Sequence, residues 1–217
     1  MPFELGRPFG PPNDRNFQLD VLRSTLALLA EPSGPVIHDY PFDAPASAEG
    51  DEAWACALPA RPQPAAANDA EALEFRLLAE IAHLRPWYDE AHRASGRTAL
   101  GLSGIGASGV DAAARILAAA AAGADPAALG SRMEGMPMAL RFVADDLKTF
   151  YFEAATAQPG RRRPTSAELN QWLFGETVLG GVIYETRDRL SASEDQSLKM
   201  VSRFLIPAAF ARRPAAG

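Results

Sequence analysis

Residues 137–190 read PMALRFVADDLKTFYFEAATAQPG, then RRRP, then TSAELNQWLFGETVLGGVIYETRDRL. The spacing predicts two helical arms joined by an arginine-rich turn. In the first, Leu140, Val143, Leu147, Phe150, Tyr151 and Ala154 recur at helical spacing, the signature of one apolar face. Phe142 and Phe152 lie on the other side among Asp145, Thr149 and Glu153. A helix apolar on two sides is buried or pressed against a partner. Thr165-Ser-Ala-Glu168 is a capping box opening the second arm, on which Trp172, Leu179, Ile183 and Leu190 share a stripe with one charge, Glu176. Gly175, Gly180 and Gly181 weaken a helix and suggest close backbone approach or a local break.

The hairpin sits in a chain of 217 residues, a length that fits one domain with a single core. Apolar residues at 47% and charged residues at 22% place it among globular proteins. A net charge of −6 and a pI near 5.1 argue against nucleic acid or an anionic membrane as partner. Cys56 is the lone cysteine, which excludes an intrachain disulfide framework and points to a reducing, cytoplasmic setting. No secretory signal opens the chain, and its longest apolar run, Ile116–Ala122, is too short to span a bilayer.

Outward from the hairpin, the pattern predicts further helices. The first covers roughly Asp14–Ala30, capped by Asn13 or Asp14, with Pro35–Tyr40 after it as a short strand. Pro41–Ala67 holds five prolines and an acidic patch; a loop this long is functional or a linker. Trp54 and Leu58 would pin it, with Cys56 packed between them. Asn68-Asp-Ala-Glu71 opens a second helix carrying Leu73, Leu77, Ile81 and Leu84. Pro86 is expected to kink or end that helix near Arg85, and a short amphipathic piece runs on to Gly96. Ser108 is the expected cap of an alanine-rich helix over Val110–Ala122. Asp125-Pro126 opens a short turn, and Ser193–Gln196 caps a last helix before Pro207. The fold class is therefore mainly α: about six helices around the hairpin in one domain, with residues 1–40 as an amino-terminal arm, 41–67 as the loop, 68–206 as the helical core and 207–217 as a loose tail.

Residues 6–14, GRPFGPPND, a glutamine-containing helix with a Leu-rich end, and residues 33–45, SGPVIHDYPFDAP, carry a family likeness. Over about Leu5–Pro45 the chain resembles the carboxy-terminal segment of the selenoprotein B family. Those proteins are subunits of the glycine, betaine, sarcosine and D-proline reductases and their selenium-free relatives. The shared segment is not catalytic, and Cys56 does not match the family's selenocysteine or cysteine. The resemblance implies a partner of a reductase-like protein.

Three kinds of chemistry compete for the polar residues. Glu80 and Glu176 fall on apolar stripes, where an unpaired carboxylate is costly; ion pairs with Arg97, Arg141 or Arg187 would satisfy them. Glu80-x-x-His83 also has the spacing of a helix-borne ligand pair, with Asp146, Glu153 and Glu176 as further oxygens around a divalent metal or iron. Such sites want a second glutamate–histidine pair on another helix, and the chain has three histidines in all. Gly104-x-Gly106-x-x-Gly109 before a helix has the order of a dinucleotide-binding turn, with Asp125 as the ribose acid, yet no second strand follows that helix. No nucleophile elbow or basic–aromatic interleaving is present. The sequence thus favours a non-catalytic accessory subunit that binds a protein partner or a second copy, with no cofactor. A small metal-dependent oxidoreductase and nucleotide binding at Gly104–Gly109 are the alternatives.

Overall fold

The computed structural model describes residues 9–10, 13–43, 69–124, 136–158 and 163–212. Among these, seven α-helices and no strand are found, so the fold is mainly α. The chain divides into two compact units, Met1–Asp51 and Glu52–Gly217.

In the first unit, α1 (Arg15–Ala27) starts where Asp14 accepts the Phe17 amide proton, as a side-chain cap should. A short 3₁₀ turn, Leu28–Ala30, ends it. Residues 35–43 form no strand, contrary to the short strand expected at Pro35–Tyr40. Instead the Tyr40 hydroxyl donates to Asp20 Oδ2 at 2.7 Å, and its ring meets Phe17 and Phe42 edge-on. With side-chain contacts to α1 rather than a ladder partner, the segment stays irregular.

The second unit is built by α2 (Asp69–Ser95), α3 (Val110–Ala122), α4 (Met136–Ala157), α5 (Ser166–Glu176), α6 (Val178–Ala192) and α7 (Gln196–Ser202). Helix α4 packs against α2, α3, α5 and α7, and α6 against α2, α3, α5 and α7. The predicted stripe of α4 is buried throughout: Leu140, Val143, Leu147, Phe150, Tyr151 and Ala154. Phe142 and Phe152 on its second side are half-buried. Around them Leu77, Ile81 and Leu84 of α2, Leu117 of α3, and Trp172, Leu179 and Ile183 of the second arm complete one core.

One expectation is corrected here and two are made definite. Helix α2 does not end near Arg85 but runs on through Pro86 to Ser95. Proline removes one amide bond to residue 82, and both Ala82 and Pro86 are exposed, so water can take up the freed carbonyl. Helix α3 is capped by Gly109 rather than Ser108, which lies inside a 3₁₀ turn over Ala107–Gly109. The second arm of the hairpin is two helices, α5 and α6, broken at Thr177 (φ −89°, ψ 154°). The capping box at Thr165 is present as read. Gly96, at φ +65°, closes α2 in the left-handed conformation that favours glycine. Asn68, Asp125, Pro126, Trp54, Cys56 and Leu58 lie outside the described residues.

Candidate functional site

The break at Thr177 creates the most polar point of the core. A buried helix start exposes four amide protons that no helical carbonyl takes, and Val178, Leu179 and Gly180 are all buried. Each finds an acceptor. Glu80 reaches across from α2, accepting from Val178 N at 2.9 Å and Leu179 N at 3.2 Å. Thr177 Oγ1 accepts from Gly180 N at 2.9 Å, and the Thr177 carbonyl from Gly181 N at 3.4 Å. The same Thr177 hydroxyl donates to the Leu173 carbonyl at 2.6 Å, so one side chain serves the end of α5 and the start of α6.

Glu80 is 6% exposed. Its Oε1 also accepts from the Tyr151 hydroxyl of α4 at 2.8 Å. The carboxylate therefore joins α2, α4 and α6, and its charge lies at the positive end of the α6 dipole. Burial, then the charge of Glu80 and the hydrogen bond to it, hold the Tyr151 phenol well above the ordinary tyrosine range. This has a sign. A folded-state pKa above the unfolded value near 10 gives stability that is complete below about pH 10 and is lost as pH rises beyond it. The loss is about 1.4 kcal/mol per pH unit. Between pH 10 and 11.5, the stability advantage of the unmodified chain over Tyr151→Phe should shrink towards that slope in urea unfolding, and it should be constant below pH 9. A constant difference would mean that the phenol ionises as easily folded as unfolded.

A second pair of carboxylates lies along α4. Asp146 Oδ1 accepts from Gly101 N and Leu102 N, each at 2.9 Å, and Oδ2 accepts from Ser103 N at 2.9 Å and from the Ser103 hydroxyl. Three successive amides converging on one anion form a nest, here filled by the chain's own carboxylate. Glu153, two turns further along the same face, accepts from Thr98 Oγ1 at 2.6 Å and Ala99 N at 2.7 Å. Tyr88 of α2 donates to Thr98 at 3.1 Å. Together Asp146 and Glu153 pin the connection between α2 and α3 onto α4. Arg85 reinforces it, bonding Asp111 at 2.7 Å and the Ala107 carbonyl at 3.3 Å.

The sequence-predicted residues are thus distributed over several places. Glu80 meets Tyr151 and the start of α6; Asp146 and Glu153 hold the 98–103 segment; His83 and Glu176 are exposed. Glu176 leaves the buried stripe because the chain turns extended at the next residue. Among the described residues no group of three or more His, Cys, Asp or Glu side chains is placed to hold a metal. Gly104 (φ +77°) and Gly106 lie in the pinned connection before α3, and a side-chain carbon at either would meet open space. Among the described residues no strand precedes them. Arg141 pairs with Asp145 at 3.4 Å and Arg187 with Asp188 at 2.6 Å. Sequence reasoning missed Tyr151, Thr177 and Thr98 as partners. For Thr177 a signal existed: a threonine three residues before Gly180, directly ahead of the apolar Val178–Leu179, has the form of an N-cap.

What these arrangements do chemically is position backbone. Fold and site together define an all-α protein in which buried carboxylates of two helices anchor a helix start and a loop. Comparison with family models, with characterised proteins and with solved structures finds no match. No helix among the described residues is long and apolar enough to cross a membrane.

Proposed function

We propose that this chain is a non-catalytic helical accessory subunit that binds a protein partner in the reducing cytoplasm. The carrying observation is the apolar surface of the first unit. Leu26 is 60% exposed, Leu29 82%, Ile37 94% and Phe42 58%, four large apolar side chains open to solvent within residues 26–42. Support also comes from the carboxylates that had suggested a metal: Glu80, Asp146 and Glu153 each accept at least two hydrogen bonds from protein donors. The resemblance of residues 5–45 makes a reductase-like protein the partner to try.

The test is co-elution. Full-length chain mixed with a reductase-like protein from the same organism should run as one stoichiometric complex in size-exclusion chromatography with light scattering. The triple variant Leu26→Asp, Leu29→Asp, Ile37→Asp should run apart from it. Stoichiometric iron, manganese or zinc in the purified chain, lost in Glu80→Ala together with a measurable turnover, would replace this reading with the metal-dependent oxidoreductase. Co-elution that survives the triple substitution would remove the first unit as the contact.

A further inference from the structure

Beyond Ile206, which is buried, the chain runs Pro-Ala-Ala-Phe-Ala-Arg through residues 207–212. Pro207, Ala208, Ala209, Ala211 and Arg212 are all exposed, and Phe210 alone is half-buried. The segment makes one 3₁₀ turn, Ala208–Phe210, too short to persist by itself. Phe210 packs against the core, and the contacts that fix the segment there are specific. The Phe210 ring lies 5.5 Å from that of Phe174 at an interplanar angle of 29°. The Phe210 carbonyl accepts from the Tyr184 hydroxyl at 2.8 Å, and the Ala211 carbonyl from Arg187 Nη1 at 2.6 Å.

The surface beneath is assembled without help from this segment. Phe174 of α5 and Tyr184 of α6 meet edge-on at 6.0 Å. The Arg187 guanidinium lies 5.0 Å over the Tyr184 ring, and its Nε and Nη2 donate to Asp188 Oδ1 at 2.8 and 2.6 Å. Those contacts fix the guanidinium with Nη1 turned towards the strand of backbone above it. A pre-ordered surface and an occupant anchored through one half-buried side chain have unequal local stability, and the occupant opens first.

We propose that residues 207–212 are a releasable strap, and that the surface of Phe174, Tyr184 and Arg187 is a receptor for a phenylalanine-bearing segment of a partner protein. The strap shows what fits: one aromatic ring against Phe174, with its own and the following backbone carbonyl accepting from Tyr184 and Arg187. Because the strap is tethered, it competes at a local concentration of order millimolar. A partner therefore engages only when its segment is presented with further contacts. This surface is independent of the apolar first unit, and the inference does not rest on the accessory-subunit reading.

A fluorescently labelled peptide of residues 206–212 tests it by anisotropy on full-length protein. Phe210→Ala should bind the peptide at least about ten-fold more tightly than the unmodified chain does, because its own strap no longer fills the site. Adding Arg187→Ala should weaken that binding about ten-fold, and a peptide with alanine in place of phenylalanine should not bind. Equal binding to both proteins, or none at millimolar peptide while Phe210→Ala keeps its helical circular dichroism, overturns the proposal. Should Phe210→Ala fail to fold, hydrogen exchange of the unmodified chain decides. Phe210 and Ala211 amides exchanging at least 100-fold faster, relative to their intrinsic rates, than those of α6 support a strap. Exchange only together with α6 refutes it.

Discussion

Glu80→Leu should lower the stability of the helical unit by about 3–5 kcal/mol, read as a fall in the urea midpoint at unchanged slope. Leucine fits an apolar position on α2, so the loss does not come from volume. It comes from the donors left behind: Val178 N, Leu179 N and the Tyr151 hydroxyl, all within 3.2 Å of the carboxylate and all buried. Each buried donor without an acceptor costs about 1–3 kcal/mol. Glu80→Gln keeps one acceptor oxygen and should fall between. Adding Tyr151→Phe to Glu80→Leu removes one orphan, so the double variant should be more stable than the two single losses added together. Strict additivity would show that Tyr151 and Glu80 do not act as one unit. A Glu80→Leu chain as stable as the unmodified one would mean that water reaches the start of α6.

The difference between what was legible in this sequence and what was not follows from the kind of signal involved. Apolar periodicity is a property of one helix, and it located α2, α3, α4 and the burial of Trp172, Leu179 and Ile183. Caps are equally local: Asp14 and the Thr165–Glu168 box stand as read. The glycines at 175, 180 and 181 signal a close approach or a break in the second arm, but its place at Thr177 is not legible, because a single extended residue between two helices leaves the apolar positions on either side close to heptad register. The stripe therefore looks continuous, and Glu176 is carried onto it although the residue is exposed. Pro86 leaves two outcomes open, a kink or an end, because its cost depends on whether the freed carbonyl faces solvent, which sequence does not state. The carboxylates were hardest of all. Periodicity placed Glu80 inside, but Tyr151, Val178 and Leu179 are 71, 98 and 99 residues away along the chain, and the bonds from Val178 and Leu179 come from backbone amides that carry no side-chain signature. A buried glutamate can be found from sequence; whether a metal, an arginine or a helix start satisfies it depends on how the helices cross.

The glycines of the second arm allow the break itself to be tested, because two of them should respond with opposite sign. A β-carbon on Gly180 would lie 2.1 Å from the Leu173 carbonyl oxygen and 2.9 Å from the Phe174 Cα. Both are backbone atoms that cannot rotate away, so α5 and α6 must separate. Separation also stretches the Thr177 bridge between Leu173 O and Gly180 N and draws the start of α6 away from Glu80. Gly180→Ala should therefore cost about 3 kcal/mol, the upper part of the usual range for overpacking, despite the better helix propensity of alanine. In a domain of this size that is a fall in Tm of roughly 6–12 °C. Gly175 is exposed near the end of α5, and a β-carbon there would meet nothing within 4 Å. Gly175→Ala should gain about 0.5–1 kcal/mol from propensity alone. If the second arm were one continuous helix, both positions would follow propensity and both variants would be stabilised. Opposite signs require the close crossing that Thr177 creates.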